Sequence, residues 1–507
     1  MNNQLNIRMK RFNICLLALV FIASFNSGCQ RQGSTVRQPD TSDLIMDEEA
    51  REVFSLRRET ILETIDDGLL IMRSDYGFNG GRHGYRVASN FWYLTGYGLP
   101  GAIMSLSDKE SGISPAGYAL YLRQRSIRDV IYSGNLPDPV EIASTWSPDA
   151  ILDYNEADRV ITDAVRAGRS VFVDFSDNVF RDRVQDIIAA EKADRGLLRD
   201  INPTLSTMRV NKDEYEVRML QRAIDITGWG IEAVMAECAP GMYEFEIEAI
   251  LEYTWRRSGS SMPGFGSIVG SGDNAVTLHY SANNRKMEDG DLLLMDVAAE
   301  YGYYTADITR TIPVNGRFTK EQKDIYSLVL RAQKAAIEEM KPGAPMTAAH
   351  RAATNVIIDG LHDLGLVTDP NCQWQRKFYT IYHICHFLGL NAHDPGSQGI
   401  PESMMSTYLV ADTAVGRPLE EGMVLTVEPG IYLRANGLDQ LEMLYGSEAE
   451  EGEIADFIEK VRPVYERYSN IGVRIEDDVL ITGSGNVVMS ASIPKEPDEI
   501  EKRMQSR

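Results

Sequence analysis

The sequence predicts an α/β protein in two parts: an N-terminal α/β domain, then a larger α+β domain with internal pseudo-twofold symmetry. Three observations predict this. The chain has 507 residues, too many for one ordinary core. A helix–helix–strand unit occurs twice in its second half. In both copies an acidic residue closes an apolar strand shortly after a glycine: Asp296 follows Gly290, and Glu428 follows Gly422.

The first domain is expected over residues 48–205. Glu48 to Arg73 reads as helical, while Tyr118–Leu122 and Val171–Phe175 read as strands. Asn90-Phe91-Trp92-Tyr93-Leu94-Thr95-Gly96 reads as a buried aromatic strand that ends in a turn at Gly96.

The second domain is expected over residues 210–490. A helix begins at Asp213, with Val217, Leu220, Ile224, Ile231 and Val234 on one face, and stops at Pro240-Gly241. A second helix covers about 243–257. Thr319 and Gln322 form a capping-box signature ahead of Ile325, Leu328, Ala332 and Ala336. This third helix stops at Pro342-Gly343, and a fourth runs to about Gly365. Such a duplication, with matching carboxylates at matching strand ends, predicts a carboxylate site on the pseudo-twofold axis.

Within the first copy, Asp291–Glu300 and Tyr303–Pro313 read as a hairpin around a Tyr301-Gly302 turn. That register pairs Glu300 with Tyr303 and puts Asp296 directly opposite Asp307, with Cβ atoms about 4.5–5.5 Å apart. Two facing carboxylates repel, so a shared proton, an arginine or cations must offset the repulsion. A pair of divalent ions about 3.5–4 Å apart fits. Leu292, Leu294 and Ala298 share the parity of Asp296, which argues for an inner face.

Further candidates are His386, Glu428 and Glu476, the last of opposite parity to the apolar Val473, Ile475, Val479 and Ile481. Four carboxylates and one imidazole form an oxygen-rich set that favours a hard ion such as Mn²⁺. The sequence has no HExxH motif, no CxxC pair, no GxSxG elbow and no Walker phosphate loop. A net charge of −23 excludes nucleic acid as a natural partner.

Residues 1–29 read as an export signal. Arg8, Lys10 and Arg11 precede a short apolar run from Ile14 to Phe25, and Ser27-Gly28-Cys29 resembles a bacterial lipoprotein cleavage box with Asn26 in place of its usual Leu. The expected location is periplasmic, with either a lipid anchor at Cys29 or ordinary signal cleavage. Residues 30–47 read as a polar tether and 491–507 as a polar tail. The remaining cysteines, Cys238, Cys372 and Cys385, are too few for a disulfide framework and are expected as free thiols.

The segments Met295-Asp296-Val297, Ala306 to Thr311, His386 to Leu390, Val427 to Tyr432 and Arg474 to Asp478 together resemble the pita-bread metallopeptidases. The aminopeptidase P (Xaa-Pro aminopeptidase) type is nearest and prolidase next. Asn90–Gly96 extends the resemblance into the first domain, which is similar to the creatinase-like N-terminal domain of the same enzymes. The resemblance implies that Asp296 binds one metal, that Asp307 and Glu476 bridge two, and that His386 and Glu428 complete the shells. It implies Mn²⁺, with Zn²⁺, Co²⁺ or Fe²⁺ as alternatives. A bridging hydroxide would attack the scissile carbonyl. Glu428 would shuttle the proton, His279 and His393 would steady the carbonyl oxygen, and Arg474 would orient Glu476 or its neighbours.

The implied substrates are peptides with proline second, and the implied assembly is a homo-oligomer, a dimer or tetramer. Three further readings stand beside this one: a prolidase-type dipeptidase, a metal-free peptide-binding protein on the same fold, and an amidinohydrolase. The intact ligand set argues against the last two. Tyr382 stands where the family often carries a histidine, with His383 one position later, which bears on substrate positioning. Cys385, next to His386, is expected to make the site sensitive to oxidation. Residues 434–470 form an acidic insert, read as a helical excursion rather than a cap on the cleft.

Overall fold

The computed structural model describes residues 47–74, 85–135, 137–405, 407–411 and 413–506. The export signal, Cys29 and the tether up to residue 46 lie outside the described residues.

The first domain is built on a six-stranded mixed sheet. Its strands are β1 (Leu69–Arg73), β2 (Ala102–Ser107), β3 (Gly117–Leu122), β4 (Ala150–Asp153), β5 (Val171–Val173) and β6 (Leu198–Asp200), in the order β4-β3-β2-β1-β5-β6. Alternation along the strands separates two faces. Leu69, Ile71 and Ile103 pack on one side with α5 (Ala157–Arg166) and α6 (Asn178–Ala190), while Leu70, Met72 and Met104 face the core shared with the second domain. The short helices α3 (Ile127–Ser133) and α4 (Pro139–Trp146) lie between β3 and β4, and α7 (Asn202–Val210) follows β6.

Two expectations for this domain are corrected. The helix from Glu48, α1, ends at Ile65 because Asp66 takes a left-handed φ of 52°, and residues 69–73 become the central strand β1. Ser89–Thr95 is a helix, α2, and not a strand; Gly96, at φ 63°, caps it. The run is buried all round from Phe91 to Thr95, so it carries no periodicity that could separate helix from strand.

The second domain follows the expected duplication. α8 (Glu214–Glu237) and α9 (Glu244–Arg257) pack together, as do α10 (Lys320–Glu339) and α11 (Ala348–Asp363). Capping boxes at Asp213/Glu216 and Thr319/Gln322 satisfy the first-turn amides of α8 and α10. The first copy supplies β7 (Ile268–Ser271), β8 (Leu292–Val297), β9 (Glu300–Tyr301), β10 (Tyr304–Thr305) and β11 (Ile308–Pro313). After α12 (Gln373–Tyr379), the second supplies β12 (Val424–Val427), β13 (Gly430–Leu433), β14 (Ile471–Arg474), β15 (Asp477–Thr482) and β16 (Gly485–Val488). Gly290 and Gly422, at φ 92° and 88°, make the matching left-handed turns into β8 and β12.

The hairpin register differs from expectation by two residues. Tyr301 pairs with Tyr304, and the turn is Gly302-Tyr303, both with positive φ (56° and 71°), as a type I′ turn requires. Asp296 therefore faces Thr309, and Asp307 is its diagonal neighbour on the same face. Tyr303 tolerates the left-handed region because the first domain holds it: its ring stacks on Trp92 at 3.9 Å, and Arg86 donates to its carbonyl at 3.0 Å.

The insert is helical. α13 (Leu441–Tyr445) and α14 (Glu453–Tyr465) connect β13 to β14 and pack against α12, with Phe457 edge-on to Trp374 at 5.0 Å. The closing segment is not a free polar tail: α15 (Pro497–Gln505) buries Ile500 and Met504 against the second domain. Cys238, Cys372 and Cys385 are free thiols. Among the described residues, no helix is long and apolar enough to cross a membrane.

Candidate metal centre

Three hydrogen bonds bring the two copies together over one cavity. The Glu476 amide donates to Thr309 O at 3.1 Å, the Thr311 hydroxyl to Arg474 O at 3.0 Å, and the Asp307 amide to Asp478 Oδ2 at 3.1 Å. On the other side, residues 384–388 run beside β12: Glu428 N donates to Ile384 O and Thr426 N to His386 O, each at 3.0 Å. These pairings fix the main chain under Asp307, Glu476, His386 and Glu428.

The resulting cavity, about 470 Å³, is lined by all eight expected residues: Asp296, Asp307, His386, Glu428, Glu476, His279, His393 and Arg474. One donor atom each from Asp307, His386 and Glu476 falls within 4.8 Å of the others. Ligand atoms about 2.0–2.2 Å from one cation stand at most about 4.4 Å apart, so this trio is near the spacing that a shared cation requires. His386 Nε2 stands 3.4 Å from Glu428 Oε1 and 3.6 Å from Asp307 Oδ2. Its Nδ1 lies 3.2 Å from the Phe387 carbonyl, which can only accept, so the Nδ1–H donates and Nε2 presents its lone pair to the carboxylates.

Electrostatics mark the cluster as a cation sink. Burial, then Glu476 and Asp296, push the Asp307 carboxyl well above the usual range. Burial, then Glu476, does the same to Glu428. Glu476 is raised to about 8 by burial and then by Asp296. Burial, then His393, lowers His386 to about 4, so its imidazole is neutral and competent as a ligand. Asp296 Oδ1 is a buried oxygen without a hydrogen-bond partner. An oxygen-rich, proton-hungry set with a neutral imidazole fits divalent cations.

Arg474 orders the set. It pairs through Nη2 with Asp296, donates from Nε to Thr309 Oγ1 at 2.9 Å and from Nη1 to the Tyr432 hydroxyl at 2.7 Å. Thr309 in turn donates to Glu476 Oε2 at 2.7 Å. The arginine thus holds Asp296 directly and Glu476 through one hydroxyl.

His279 sits on an exposed turn after β7; His393 is also exposed, its ring 4.1 Å from that of His386. Phe265, Ile268 and Leu278 add an apolar wall. The insert contributes no lining residue.

The chain matches the family model for metallopeptidase family M24 over residues 218–483 and the model for the aminopeptidase P N-terminal domain over 54–172. It is 30% identical to the Xaa-Pro aminopeptidase of Escherichia coli K12, over 90% of this chain and 99% of that protein. It is 33% identical to the Xaa-Pro aminopeptidase of Haemophilus influenzae, over 83% and 88%. The chain belongs to metallopeptidase family M24. Solved structures agree. Pseudomonas aeruginosa aminopeptidase PepP superposes with a TM-score of 0.75 at 30% identity, covering 90% of this chain and 98% of that one. An Escherichia coli aminopeptidase P variant in complex with substrate gives 0.76 at 29%, with the same coverage. Family and relatives together make this a metal-dependent aminopeptidase, and the Xaa-Pro aminopeptidase type is favoured over prolidase.

The departures from the family pattern acquire a structural account in this M24 chain. Arg474 donates to Tyr432, whose hydroxyl lies 3.1 Å from that of Tyr382, and Tyr382 donates to Glu428 O at 2.8 Å. Tyr382 therefore anchors the main chain of Glu428. His383 lines the cavity beside it, its Nδ1 2.7 Å from Cys385 O and its ring 5.1 Å from that of His350. Cys385 is buried, and burial pushes its thiol far up, so it lacks the thiolate that oxidants attack. The oxidation sensitivity expected there is not supported.

Sequence reasoning missed the support beneath the cluster. Arg310, fully buried, donates to Thr309 O at 2.9 Å and Glu476 O at 2.6 Å and pairs with Asp477 Oδ1 at 2.8 Å; Lys495 also pairs with Asp477. The Thr309-Arg310-Thr311 motif carried the signal: an arginine in the middle of an apolar strand needs a buried acceptor.

Proposed function

We propose that the enzyme releases the N-terminal residue from peptides with proline second, and that Asp296, Asp307, His386, Glu428 and Glu476 hold two divalent cations, Mn²⁺ first among them. The carrying observation is that these five side chains, joined from both copies of the repeat, line one cavity and include three carboxyls shifted toward protonation. When bound, the cations supply Lewis acidity that makes a water nucleophilic at neutral pH.

The chain's own residues do the rest. The Glu428 carboxyl, held at Nε2 of His386 and fixed by Tyr382 through its carbonyl, takes the proton from the attacking water and delivers it to the leaving proline nitrogen. His279 and His393, at the rim, donate to the carbonyl oxygen as it gains charge. Phe265, Ile268 and Leu278 offer apolar contact to a proline ring, which has no amide N–H to satisfy.

Product analysis on an Xaa-Pro-Xaa tripeptide and an Xaa-Pro dipeptide tests the specificity. Release of the first residue from the tripeptide supports the aminopeptidase reading; cleavage of the dipeptide alone contradicts it. The proposal extends to location and assembly. The basic start, apolar run and Cys29 support export to the periplasm, with either a lipid anchor at that cysteine or ordinary signal cleavage, and the resemblance to the pita-bread metallopeptidases supports a homo-oligomer.

A further inference from the structure

A second cavity, of about 540 Å³, opens between the first domain and residues 391–395. Arg86 and Asn90 line it from around α2, Asn202, Ser206 and Arg209 from α7, and His393 from the second domain. Its size falls in the range of ligand sites, about 300–1,000 Å³. His393 lines the metal cavity as well, so the two spaces share a wall residue.

The two linings are chemically opposite. The metal cavity presents four carboxylates. The second presents two arginines, with side-chain amides and hydroxyls, and no carboxylate among its lining residues. Arg209 is almost fully buried; it pairs with Asp394, and its Nη1 donates to Asn90 Oδ1 at 2.7 Å, while its Nε has no hydrogen-bond partner. Lys212 stands 3.3 Å from the same aspartate, so two cations share one carboxylate there. Arg86 is tied to Glu300 and to the carbonyls of Tyr303 and Leu390, which holds the wall of the cavity rigid.

We infer that this cavity binds the carboxyl-side stretch of the peptide substrate, beyond the proline. The inference rests on the aminopeptidase reading. An aminopeptidase places the α-ammonium and the scissile bond at the carboxylate-lined centre, so the remainder of the peptide must leave it. Each extended residue advances about 3.3–3.6 Å, and the space past His393 is where donors and acceptors for a peptide backbone are found. Amides and hydroxyls recognise backbone and not particular side chains, which suits tolerance of sequence after the proline.

The test uses the metal-loaded full chain, wild type and Ser206→Trp, with Ser206→Ala as the conservative control. Ala-Pro-Ala and Ala-Pro-Ala-Ala-Ala are compared by kcat/KM, and Pro-Ala-Ala-Ala, the longer product, is titrated calorimetrically. Filling the cavity is expected to lower the pentapeptide-to-tripeptide ratio about tenfold, the equivalent of one or two lost hydrogen bonds, and to weaken product-peptide binding in proportion. Ser206→Ala, which removes one hydroxyl without filling the cavity, is expected to lower the ratio in the same direction but by less than Ser206→Trp. An unchanged ratio and unchanged peptide binding in folded Ser206→Trp would overturn the inference and leave the aminopeptidase reading intact. Failure of the wild type to cleave either peptide would count against that reading, and the calorimetric comparison would still decide the cavity.

Discussion

Thr309, and not Asp307, stands opposite Asp296 in the β8–β11 ladder, and its hydroxyl links Arg474 to Glu476. A residue with no metal-binding chemistry of its own thereby sets the position of two carboxylates. Thr309→Val keeps the shape and removes the link. It is expected to weaken metal affinity about 10–100-fold, as loss of an outer-shell partner does. Metal titration by calorimetry checks this, with Thr309→Ser expected to restore affinity; wild-type affinity in the valine variant would contradict it.

Arg310 is the structural counterpart. Its guanidinium donates to main-chain oxygens on both sides of the joint and pairs with fully buried Asp477. Arg310→Met leaves Asp477 with Lys495 and the Ser490 hydroxyl and is expected to cost about 3–5 kcal/mol in denaturant unfolding. Arg310→Lys is not expected to rescue it, because an ammonium cannot reproduce the planar fork.

Tyr382→Phe removes the donor to Glu428 O and the hydroxyl beside Tyr432. The expected result is a kcat reduced about tenfold, with metal content unchanged, since the ligand atoms are untouched while the main chain of Glu428 loses its anchor. Loss of metal from this variant would show that the hydroxyl serves the ligands and not the proton carrier.

Stability of the chelator-stripped protein is expected to depend on pH through Glu476. Its folded pKa, about 8, exceeds the ordinary 4.5, because burial and Asp296 disfavour its charge. Below about pH 4.5 the carboxyl is protonated in both states and imposes no penalty. Between 4.5 and 8 the unfolded chain releases the proton that the folded chain retains, so stability falls as pH rises through this window and levels off above it. Thermal melts across that range check the slope. Divalent metal, by replacing the proton, is expected to restore stability most at the alkaline end.

Much of this was legible in the sequence because duplication exposes itself. Gly290 and Gly422 precede matching strands that end in matching acids, and the capped helices at Asp213 and Thr319 begin where the polar–apolar pattern says they should. All eight candidate residues were identifiable, and all eight line one cavity. What escaped was tertiary. The hairpin slipped by two because Tyr303 is held at positive φ by Trp92 and Arg86, residues some two hundred positions away. The helix α2 was read as a strand because burial on every side erases the pattern that distinguishes the two. The roles of Thr309, Arg310 and Asp477 depend on partners that only the fold brings within reach.

The most direct test of the central claim is hydrolysis of an Xaa-Pro-Xaa tripeptide by chelator-stripped protein, before and after addition of Mn²⁺, with Asp307→Asn alongside. The expected result is release of the first residue only after metal is added, and none from the variant. Cleavage that needs no metal, or that survives in Asp307→Asn, would contradict the metal centre described above.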